Sequence, residues 1–333
     1  MITVSLLGGG FMAATHAATY RTLGGRVRVK NLYSRGSERS RELAASLGAR
    51  LLEDLDAAVS DPEVDVADIC LPTYLHREAA ERAFASGCHV LLEKPIALTL
   101  EDADIIIAAS RASDRQLMVG LVLRFWPEYV ELHRLVAAGQ LGRPHSVSTY
   151  RLSPPADWNG WMSDESLSGG VAVDLMSHDL DQVNWLLGRP MRVFAQCPTP
   201  GHVLAIVEYE ASKIGFAEAS MAMPTSYPFS SNIRVLSDGG VAEYAFSSAA
   251  GEDGGNISSP TSVHGLGVYR ANGEASMASV DSGDPWAAEI AYFLDCVEHG
   301  RSPEQGTAEQ ARAALLVSLA VNRSLESGRI ERV

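Results

Sequence analysis

The sequence has little cysteine, and its cysteines are scattered. The four are Cys70, Cys88, Cys197 and Cys296, and no two of them form a CxxC pair. Cys70 and Cys88 lie in apolar segments, where cysteine behaves as a small buried hydrophobe. We therefore expect neither a disulfide framework nor a zinc site, and we predict no bound metal.

Long apolar runs and positive charge are also lacking. No apolar run approaches the roughly 20 residues that a helix needs to span a bilayer. The first residues, Met1-Ile2-Thr3-Val4, lack the charged start of a signal peptide. The formal net charge is −14, and no basic stripe stands out against it. We expect a cytoplasmic protein with neither a membrane nor a nucleic acid as its partner.

What the chain does contain begins with a glycine turn between a predicted strand and a predicted helix. Ile2–Leu7 is a nearly continuous apolar run, which favours a strand buried on both faces of a parallel sheet. The sequence GGGFMA follows at Gly8–Ala13 and fits G-x-G-x-x-A, with a helical stretch, Ala14–Leu23, after it. Such glycines allow a pyrophosphate to approach the N–H groups of the helix start. Taken alone, the motif also fits a plain strand-to-helix turn.

The surrounding pattern favours the cofactor-binding interpretation. The 333 residues are enough for two domains, and the first third alternates strand-like and helix-like segments, as in a doubly wound α/β fold. The predicted strands are Ile2–Leu7, Val27–Tyr33, Arg50–Leu52, Val66–Cys70, His89–Leu92 and Leu117–Val122. The predicted helices between them are Ala14–Leu23, Glu38–Leu47, a short one near Asp54–Ser60, His76–Ser86 and Thr99–Ser113.

The end of the second predicted strand bears on which dinucleotide is bound. Enzymes that prefer NAD commonly carry an acid here for the ribose 2′-hydroxyl. This chain has Ser34 and Arg35 instead, a hydroxyl and a guanidinium that suit a 2′-phosphate. We therefore predict that NADP(H) is favoured, with NAD(H) as the alternative if Arg35 is only a solvated side chain.

Two further segments follow strands of the same sheet, at the edge where open α/β folds bind ligands. Leu71–His76 follows the fourth strand, and Thr73 and His76 are candidates for cofactor contact, although His76 is equally compatible with a simple helix start. Glu93-Lys94-Pro95 follows the fifth strand. A lysine at this place is suited to hold an alcohol or carbonyl oxygen during hydride transfer, and Glu93 to orient it. The alternative is a solvated ion pair in a loop.

Asp174, His178 and Asp181 stand at i, i+4 and i+7 of a predicted helix and would share one face. A nearby carboxylate favours the charged imidazole and fixes its orientation, which suits a histidine that accepts a proton from an alcohol. The same spacing also fits a surface salt-bridge cluster or part of a metal site, although no further converging ligands are evident.

The second half changes to two-residue alternation with turn-rich joins, which indicates a large antiparallel sheet covered by helices on one face. Its predicted elements are a helix at Glu128–Ala138 and strands at His145–Tyr150, Arg192–Cys197, Val203–Tyr209, Lys213–Ala222 and Asn232–Ser237. We expect a loop or an excursion from the sheet over the Gly- and Ser-rich segment Ser247–Ala271. Asp157–Trp161 resembles loops that stack on sugar faces, and two anchoring tryptophans are the alternative.

Five stretches together resemble the glucose–fructose oxidoreductase/inositol dehydrogenase (Gfo/Idh/MocA) family. They are Gly8–Ala13, Leu71–His76, GCHVLLEKP at Gly87–Pro95, GLVLRFWPEY at Gly120–Tyr129 and GGVAVDLMSHDLDQVNWLLG at Gly169–Gly188. The resemblance spans the chain, including predicted helices near Asp284–Glu298 and at Ala308–Glu326. It implies a Rossmann domain at 1–121 and, at 122–333, a substrate-binding and oligomerisation domain with a large open, mostly antiparallel sheet and C-terminal helices.

The resemblance also implies the activity and the site. It implies NAD(P)-dependent hydride transfer to or from a secondary hydroxyl of a sugar or cyclitol, in a homodimer or homotetramer formed through the open sheet. The predicted catalytic residues are Lys94, Asp174 and His178. The predicted cofactor-binding residues are Gly8, Gly10, Phe11, Met12, Ser34, Arg35, Leu71, Pro72, Thr73, His76, Glu93 and Lys94. The predicted substrate-binding residues are Lys94, Arg124, Trp126, Trp161, Asp174 and His178.

Two alternatives remain open from the sequence: a tightly held dinucleotide that is recycled without net oxidation, and a regulator that has lost catalysis. Met176 is one departure from the family, many of whose members have a glycine two residues before the histidine. This difference affects the expected substrate more than the expected chemistry.

Overall fold

A computed structural model describes residues 1–155, 160–248, 260–280 and 282–333, without the side chains of 260–264. The chain forms two compact units: Met1–Phe125 with Gly283–Arg312, and Trp126–Ser282 with Ala313–Val333. The first unit thus includes a late segment that the sequence analysis grouped with the second domain. The predicted domain boundary at 121/122 stays a prediction. Among the described residues, no helix has the length and apolar character needed to cross a membrane.

The first unit contains a six-stranded sheet in the order β3-β2-β1-β4-β5-β6, with every neighbouring pair parallel. Its strands are β1 (Ile2–Leu7), β2 (Val27–Tyr33), β3 (Arg50–Leu52), β4 (Val66–Ile69), β5 (His89–Glu93) and β6 (Leu117–Gly120). Its helices are α1 (Phe11–Thr22), α2 (Glu38–Leu47), α3 (Leu55–Val59), α4 (His76–Ala85), α5 (Leu100–Ser113) and, late in the chain, α10 (Pro285–Glu298). The predicted Rossmann fold is confirmed, and the strand order reverses between β1 and β4, where such folds bind ligands.

Burial explains why these segments form the core of the first unit. All six residues of β1 are buried, as the apolar run predicted. Ile290, Phe293 and Leu294 of α10 belong to the same hydrophobic cluster as β1 and α1. Asp284 caps α10 by accepting from the N–H of Trp286, and a proline follows it at the first helical position.

The second unit contains a nine-stranded sheet in the order β14-β13-β12-β11-β7-β10-β9-β8-β15. It is antiparallel except for the pair β7 and β10. Its strands are β7 (Pro144–Leu152), β8 (Pro190–Thr199), β9 (His202–Tyr209), β10 (Lys213–Ser220), β11 (Ser230–Ser237), β12 (Gly240–Ser248), β13 (Pro260–Arg270), β14 (Ala275–Met277) and β15 (Glu331–Arg332). Its helices are α6 (Pro127–Ala137), α7 (Glu165–Ser168), α8 (Gly170–Asp174), α9 (Ser177–Leu187) and most of α11 (Ala308–Ser327).

The loop predicted over Ser247–Ala271 is wrong for its second part, because Pro260–Arg270 is strand β13 and pairs with β12. Residues 249–259 lie outside the described part of the chain. Two of the glycines that suggested a loop, Gly265 and Gly267, are packing positions in this strand. A Cβ at Gly265 would lie 2.9 Å from the Met277 side chain, and one at Gly267 would lie 3.0 Å from the Tyr269 ring.

Candidate active site

The glycine turn joins β1 to α1 at the reversal of the strand order. Gly8 has φ +137°, and a Cβ there would lie 2.4 Å from the carbonyl oxygen of Cys70 at the end of β4. A Cβ at Gly9 would lie 2.3 Å from Oγ of Ser40 and 2.8 Å from Oγ of Ser34. Close packing on both sides therefore requires glycine at the first two positions of the turn.

The third glycine faces open space. Gly10 is the N-cap of α1, and a Cβ there would have no neighbour within 4 Å among the residues that the structure describes. The first turn of α1 carries no acidic residue. An open, uncapped helix start after a buried parallel strand fits the pyrophosphate of a dinucleotide, because its N–H groups and dipole favour an anion. The predicted residues Phe11 and Met12 begin this helix.

Ser34 and Arg35 lie where the sequence placed them, after β2. Ser34 Oγ lies 2.7 Å from Ser40 Oγ, which in turn lies 2.7 Å from Ser37 Oγ, so three linked hydroxyls stand beside Gly9. Arg35 is exposed. A cavity of about 350 Å³ adjoins this strand end. Its lining residues are Tyr33, Glu53, Asp54, Leu55, Leu71, Leu75, Glu78 and Arg82.

The segment after β4 is tied to the segment after β5 by His76. Its Nδ1 lies 2.9 Å from the carbonyl oxygen of Pro95, and its Nε2 lies 2.9 Å from that of Leu71. Burial lowers the pKa of His76, so the ring is neutral and donates to one of the two carbonyls at a time. Pro72 is half-buried and Thr73 is buried in the same turn. His76 therefore connects the segments that follow β4 and β5. Its contact with a cofactor stays a prediction.

Glu93 ends β5, which pairs with β4, and Lys94 directly follows it. Glu93 is the last residue of the strand and is buried, whereas Lys94 is half-buried and precedes a cis peptide bond to Pro95. Oε2 of Glu93 accepts the backbone N–H of Lys94 at 3.1 Å. The carboxylate therefore acts on the backbone that carries the lysine, and the interpretation of a solvated ion pair in a loop is wrong for Glu93.

Glu93 is part of a buried polar group that the sequence analysis missed. We call it the His16 cluster, and its members are His16, Tyr20, Asp68, Cys70, Glu93 and Glu289. His16 Nδ1 lies 2.9 and 3.1 Å from the two Asp68 oxygens, and Tyr20 donates to Asp68 Oδ2 at 2.8 Å. His16 Nε2 lies 3.0 Å from Oε1 of Glu93, an ion-pair distance whose angle falls outside hydrogen-bond geometry.

Within the described residues, His16, Asp68 and Cys70 also form the group of side chains that lie close enough to hold a metal ion. The His16–Asp68 distances are those of direct hydrogen bonds. Burial raises the pKa of the Cys70 thiol above its usual range, which keeps the sulfur protonated and a poor ligand. The prediction that the protein binds no metal stays a prediction.

In the second unit, the helix predicted over Gly169–Gly188 is divided between Asp174 and Ser177. The N–H of Met176 bonds to the carbonyl oxygen of Val171, five residues back, and α9 then starts afresh. Asp174 thus ends α8 and is buried, while His178 lies in the first turn of α9 and is half-buried. The prediction that Asp174 and His178 share one face of a continuous helix is therefore wrong. The two residues belong to different helices, so the regular helical spacing does not relate their side chains.

Asp181 is buried within α9, and its Oδ2 accepts from Nε2 of Gln182 at 3.2 Å. The neighbouring Asp179 is also fully buried and receives two bonds from Arg151 of β7, at 2.8 and 3.1 Å. This bidentate ion pair fixes the first turn of α9 on the sheet. The orientation of His178 therefore depends on a contact that the sequence analysis did not identify.

The remaining predicted pocket residues fall in different places. Arg124 is buried in the first unit, with Nη1 3.4 Å from Oε1 of Gln305. Trp126 belongs to the second unit, where its Nε1 donates to the Tyr244 hydroxyl at 3.1 Å. Trp161 is half-buried, and Gly160 before it is exposed. The other residues of the predicted sugar-stacking loop, 157–159, lie outside the described residues.

Comparison with known proteins places the chain in a family. Residues 2–121 match the model described as the oxidoreductase family with an NAD-binding Rossmann fold, Gfo/Idh/MocA. Residues 129–243 match the model of the Gfo/Idh/MocA C-terminal domain. The protein therefore belongs to the Gfo/Idh/MocA family, and the resemblance seen in the sequence is confirmed.

Several relatives show what the chain is similar to. Inositol 2-dehydrogenase 2 of Saccharopolyspora erythraea is 33% identical over 60% of this chain and 57% of that protein. Myo-inositol 2-dehydrogenase of Thermotoga maritima is 26% identical over 88% and 87%. The structure of UDP-N-acetylglucosamine 3-dehydrogenase from Acidithiobacillus ferrooxidans is 25% identical, covers 98% of each chain and has a TM-score of 0.78. The chain spans about half the length of the first curated relatives, at 52%, 57% and 49%.

Proposed function

We propose that the protein is a nicotinamide-dependent oxidoreductase that transfers hydride to or from a secondary hydroxyl of a sugar, cyclitol or sugar derivative. The observation that carries the proposal is the open, uncapped start of α1, which lies where the strand order of the parallel sheet reverses. Lys94 follows β5 at the same edge of this sheet. The names of the relatives, which act on inositol and on a nucleotide sugar, support this substrate class.

In this proposal the residues after Gly8 hold the pyrophosphate, and those after β2 hold the adenosine ribose. Ser34 and Arg35 offer a hydroxyl and a guanidinium and no acid, which supports NADP(H). The carboxylates of Glu53 and Asp54 in the adjacent cavity favour a ribose hydroxyl and support NAD(H) as the alternative. When bound, the nicotinamide supplies hydride acceptance or donation at its C4.

The chain's own residues handle the proton and the charge. In the oxidation direction, His178 accepts the proton of the substrate hydroxyl at an imidazole nitrogen. Lys94 donates a hydrogen bond to the reacting oxygen and offsets its developing negative charge. Asp174 orients these groups, while Asp181 supports α9. Arg124, Trp126 and Trp161 are proposed neighbours of the substrate.

Steady-state kinetics of Lys94→Ala and His178→Ala test the proposal, with sugars, sugar phosphates and inositols as substrates and either dinucleotide as cofactor. Each variant should lose at least roughly a hundredfold in kcat, the contribution expected of an acid–base residue. The matched control is His145→Ala, an exposed histidine of the second unit. Turnover near that of the wild type in both variants would exclude these roles. Comparing kcat/KM with NADP and with NAD decides the cofactor.

Two other functions give different results in the same assay. Dinucleotide that stays bound through purification, with no net change in absorbance, indicates a recycled cofactor. Dinucleotide binding without turnover of any substrate indicates a regulator.

We also propose that the protein assembles through the outer face of the nine-stranded sheet. Ile206, Ile214, Phe216 and Leu236 are exposed on that face, where they would be covered in a homodimer or homotetramer. Light scattering of wild-type protein and of Phe216→Glu tests this, since the variant should dissociate.

A further inference from the structure

The His16 cluster has no role in the function proposed above, although one of its members, Glu93, accepts the backbone N–H of Lys94. It contains one histidine and three carboxyl groups in the interior of the first unit, with His16, Asp68 and Glu289 fully buried and Glu93 nearly so. Buried charges are rarely kept unless they are paired or functional. The arrangement of these groups therefore needs an explanation.

The two ring nitrogens of His16 both face carboxylates. Nδ1 meets Asp68 and Nε2 meets Glu93, at 2.9 and 3.0 Å. A neutral imidazole has one N–H and one lone pair, so either neutral tautomer would leave an unprotonated nitrogen about 3 Å from a carboxylate. The imidazolium carries a proton on each nitrogen, so it combines a hydrogen bond to Asp68 with an ion-pair contact to Glu93. Burial by itself lowers the pKa of His16, but the Asp68 charge and the Asp68 and Cys70 contacts raise it well above its usual value.

The Glu93 carboxylate links His16 to the backbone of Lys94. Its Oε1 faces His16, and its Oε2 accepts the backbone N–H of Lys94. The space around the carboxylate is confined, because a Cβ at Gly120 would lie only 3.1 Å from Oε1. A carboxylate held at both oxygens fixes the backbone from which the Lys94 side chain projects.

We propose that His16 is a positioning residue for Lys94: as an imidazolium between Asp68 and Glu93, it holds the Glu93 carboxylate that orients the lysine backbone. The link to hydride transfer rests on the function proposed above, whereas the charge state of His16 and the anchoring of Lys94 do not. The other polar groups of the cluster are the Cys70 thiol, 3.5 Å from Nδ1 of His16, the Tyr20 hydroxyl, bonded to Asp68, and the Glu289 carboxyl, whose pKa the His16 charge lowers. Burial and then the Glu93 charge raise the pKa of Glu289 well above its usual value, which favours the neutral carboxyl.

The charge state is tested by NMR of the full chain with ¹⁵N-labelled histidine. The sequence has nine histidines. One of them should keep both ring nitrogens protonated at about pH 9, far above the ordinary histidine pKa, and that signal should be absent in His16→Gln. Nine histidines that all become neutral below this pH would overturn the proposal. So would a metal ion bound at His16 in the purified protein.

The anchoring of Lys94 is tested by amide hydrogen exchange, which needs no enzymatic activity. His16→Gln should speed exchange of the Lys94 N–H by at least about tenfold, because the Glu93 carboxylate is released. His145→Gln is the control and should leave this exchange unchanged. Equal exchange in wild type and His16→Gln would overturn the proposal. If His16→Gln does not fold, Glu93→Gln probes the same link and should also speed exchange.

The consequence for catalysis is tested separately. His16→Gln should lower kcat by about tenfold to a hundredfold, as expected for a misplaced reacting group, while the Kd of the dinucleotide changes by less than about threefold. The double variant with Glu93→Gln should lose no more than the worse single variant, because the two residues act in series. Additive losses would overturn the positioning role. Wild-type protein without dehydrogenase activity would reject the proposed function and leave the exchange and NMR results to decide on His16.

Discussion

The two units bury charge in opposite ways. In the second unit, the Arg151 guanidinium meets the Asp179 carboxylate through two nearly parallel bonds, so one cation is matched by one anion. In the first unit, one histidine lies 2.9 Å from Asp68 and 3.0 Å from Glu93, and a third buried carboxyl, Glu289, interacts electrostatically with His16 and Glu93. The matched pair holds a helix on a sheet, whereas the unmatched cluster includes Glu93, whose carboxylate accepts the backbone N–H of Lys94.

The Arg151–Asp179 pair has the features of a structural ion pair, whereas the His16 cluster has features expected of a functional site. A bidentate pair satisfies its own groups and fixes α9, and it needs no further partner. The His16 cluster leaves both oxygens of Glu289 without a hydrogen bond among the described residues. A chain selected for stability alone would replace such a carboxyl with an apolar residue. We therefore expect substitutions in the Arg151–Asp179 pair and in the His16 cluster to change the free energy of unfolding by different amounts and, for Glu289, in the opposite direction.

The largest effect is expected for Arg151→Met, which leaves Asp179 buried without its cation. The free energy of unfolding should fall by about 3–5 kcal/mol, measured by denaturant unfolding at neutral pH. Burial already raises the pKa of Asp179, with Arg151 opposing the rise. Without Arg151 the carboxyl takes up a proton more readily, so the loss should shrink as the pH falls.

The control for Arg151→Met is the double variant with Asp179→Leu, in which both charges are removed. It should recover much of the lost stability, since no unpaired ion remains. Equal losses in the single and double variants would show that Arg151 acts through packing, on the Phe229 ring 5.8 Å away, and not through charge.

Asp68→Asn should lower the free energy of unfolding by an intermediate amount, about 1–3 kcal/mol, because His16 and Tyr20 lose a charged hydrogen-bond acceptor. The folded-state pKa of His16 is raised, so its contribution to stability is complete below the unfolded-state value and declines as the pH rises toward the folded-state value. The variant's deficit should therefore be larger at about pH 6 than at about pH 9. Urea unfolding at both values measures it, and a deficit that grows with pH would contradict the charge assignment.

The first unit shows what the sequence could predict and what it could not. The bounds of β2, α2 and β3 agree with the prediction, because their apolar spacing and the Ser37 cap are local signals. His16 was missed because it stands alone in an apolar helix pattern, and its partner Asp68 is 52 residues away in the chain. Only the parallel pairing of β1 with β4 brings the two together.

The second unit shows a different limit. The break after Asp174 was missed because hydrophobic spacing continues through it, while the change is one backbone bond from Met176 to Val171. Asp179 was missed because an acid on a helix gives no sign of burial by itself, and its partner Arg151 lies 28 residues earlier, in a strand. Sequence therefore locates the motifs, while long-range pairing decides which charges are buried.

The smallest change in the free energy of unfolding, and the only gain, is expected for Glu289→Met, which removes a buried carboxyl that has no hydrogen-bond partner in the described part of the chain. The folded-state pKa of Glu289 is raised, so above the unfolded-state value the unfolded chain ionises more readily and stability declines with pH. The free energy of unfolding of the variant should therefore exceed that of the wild type by about 1 kcal/mol at about pH 8 and by nearly nothing at about pH 4. Denaturant unfolding at both values measures the gain, with the exposed Glu274→Met as the matched control. A loss at both values would mean that the Glu289 carboxyl stabilises the His16 cluster, and the contrast between matched and unmatched burial would then not hold.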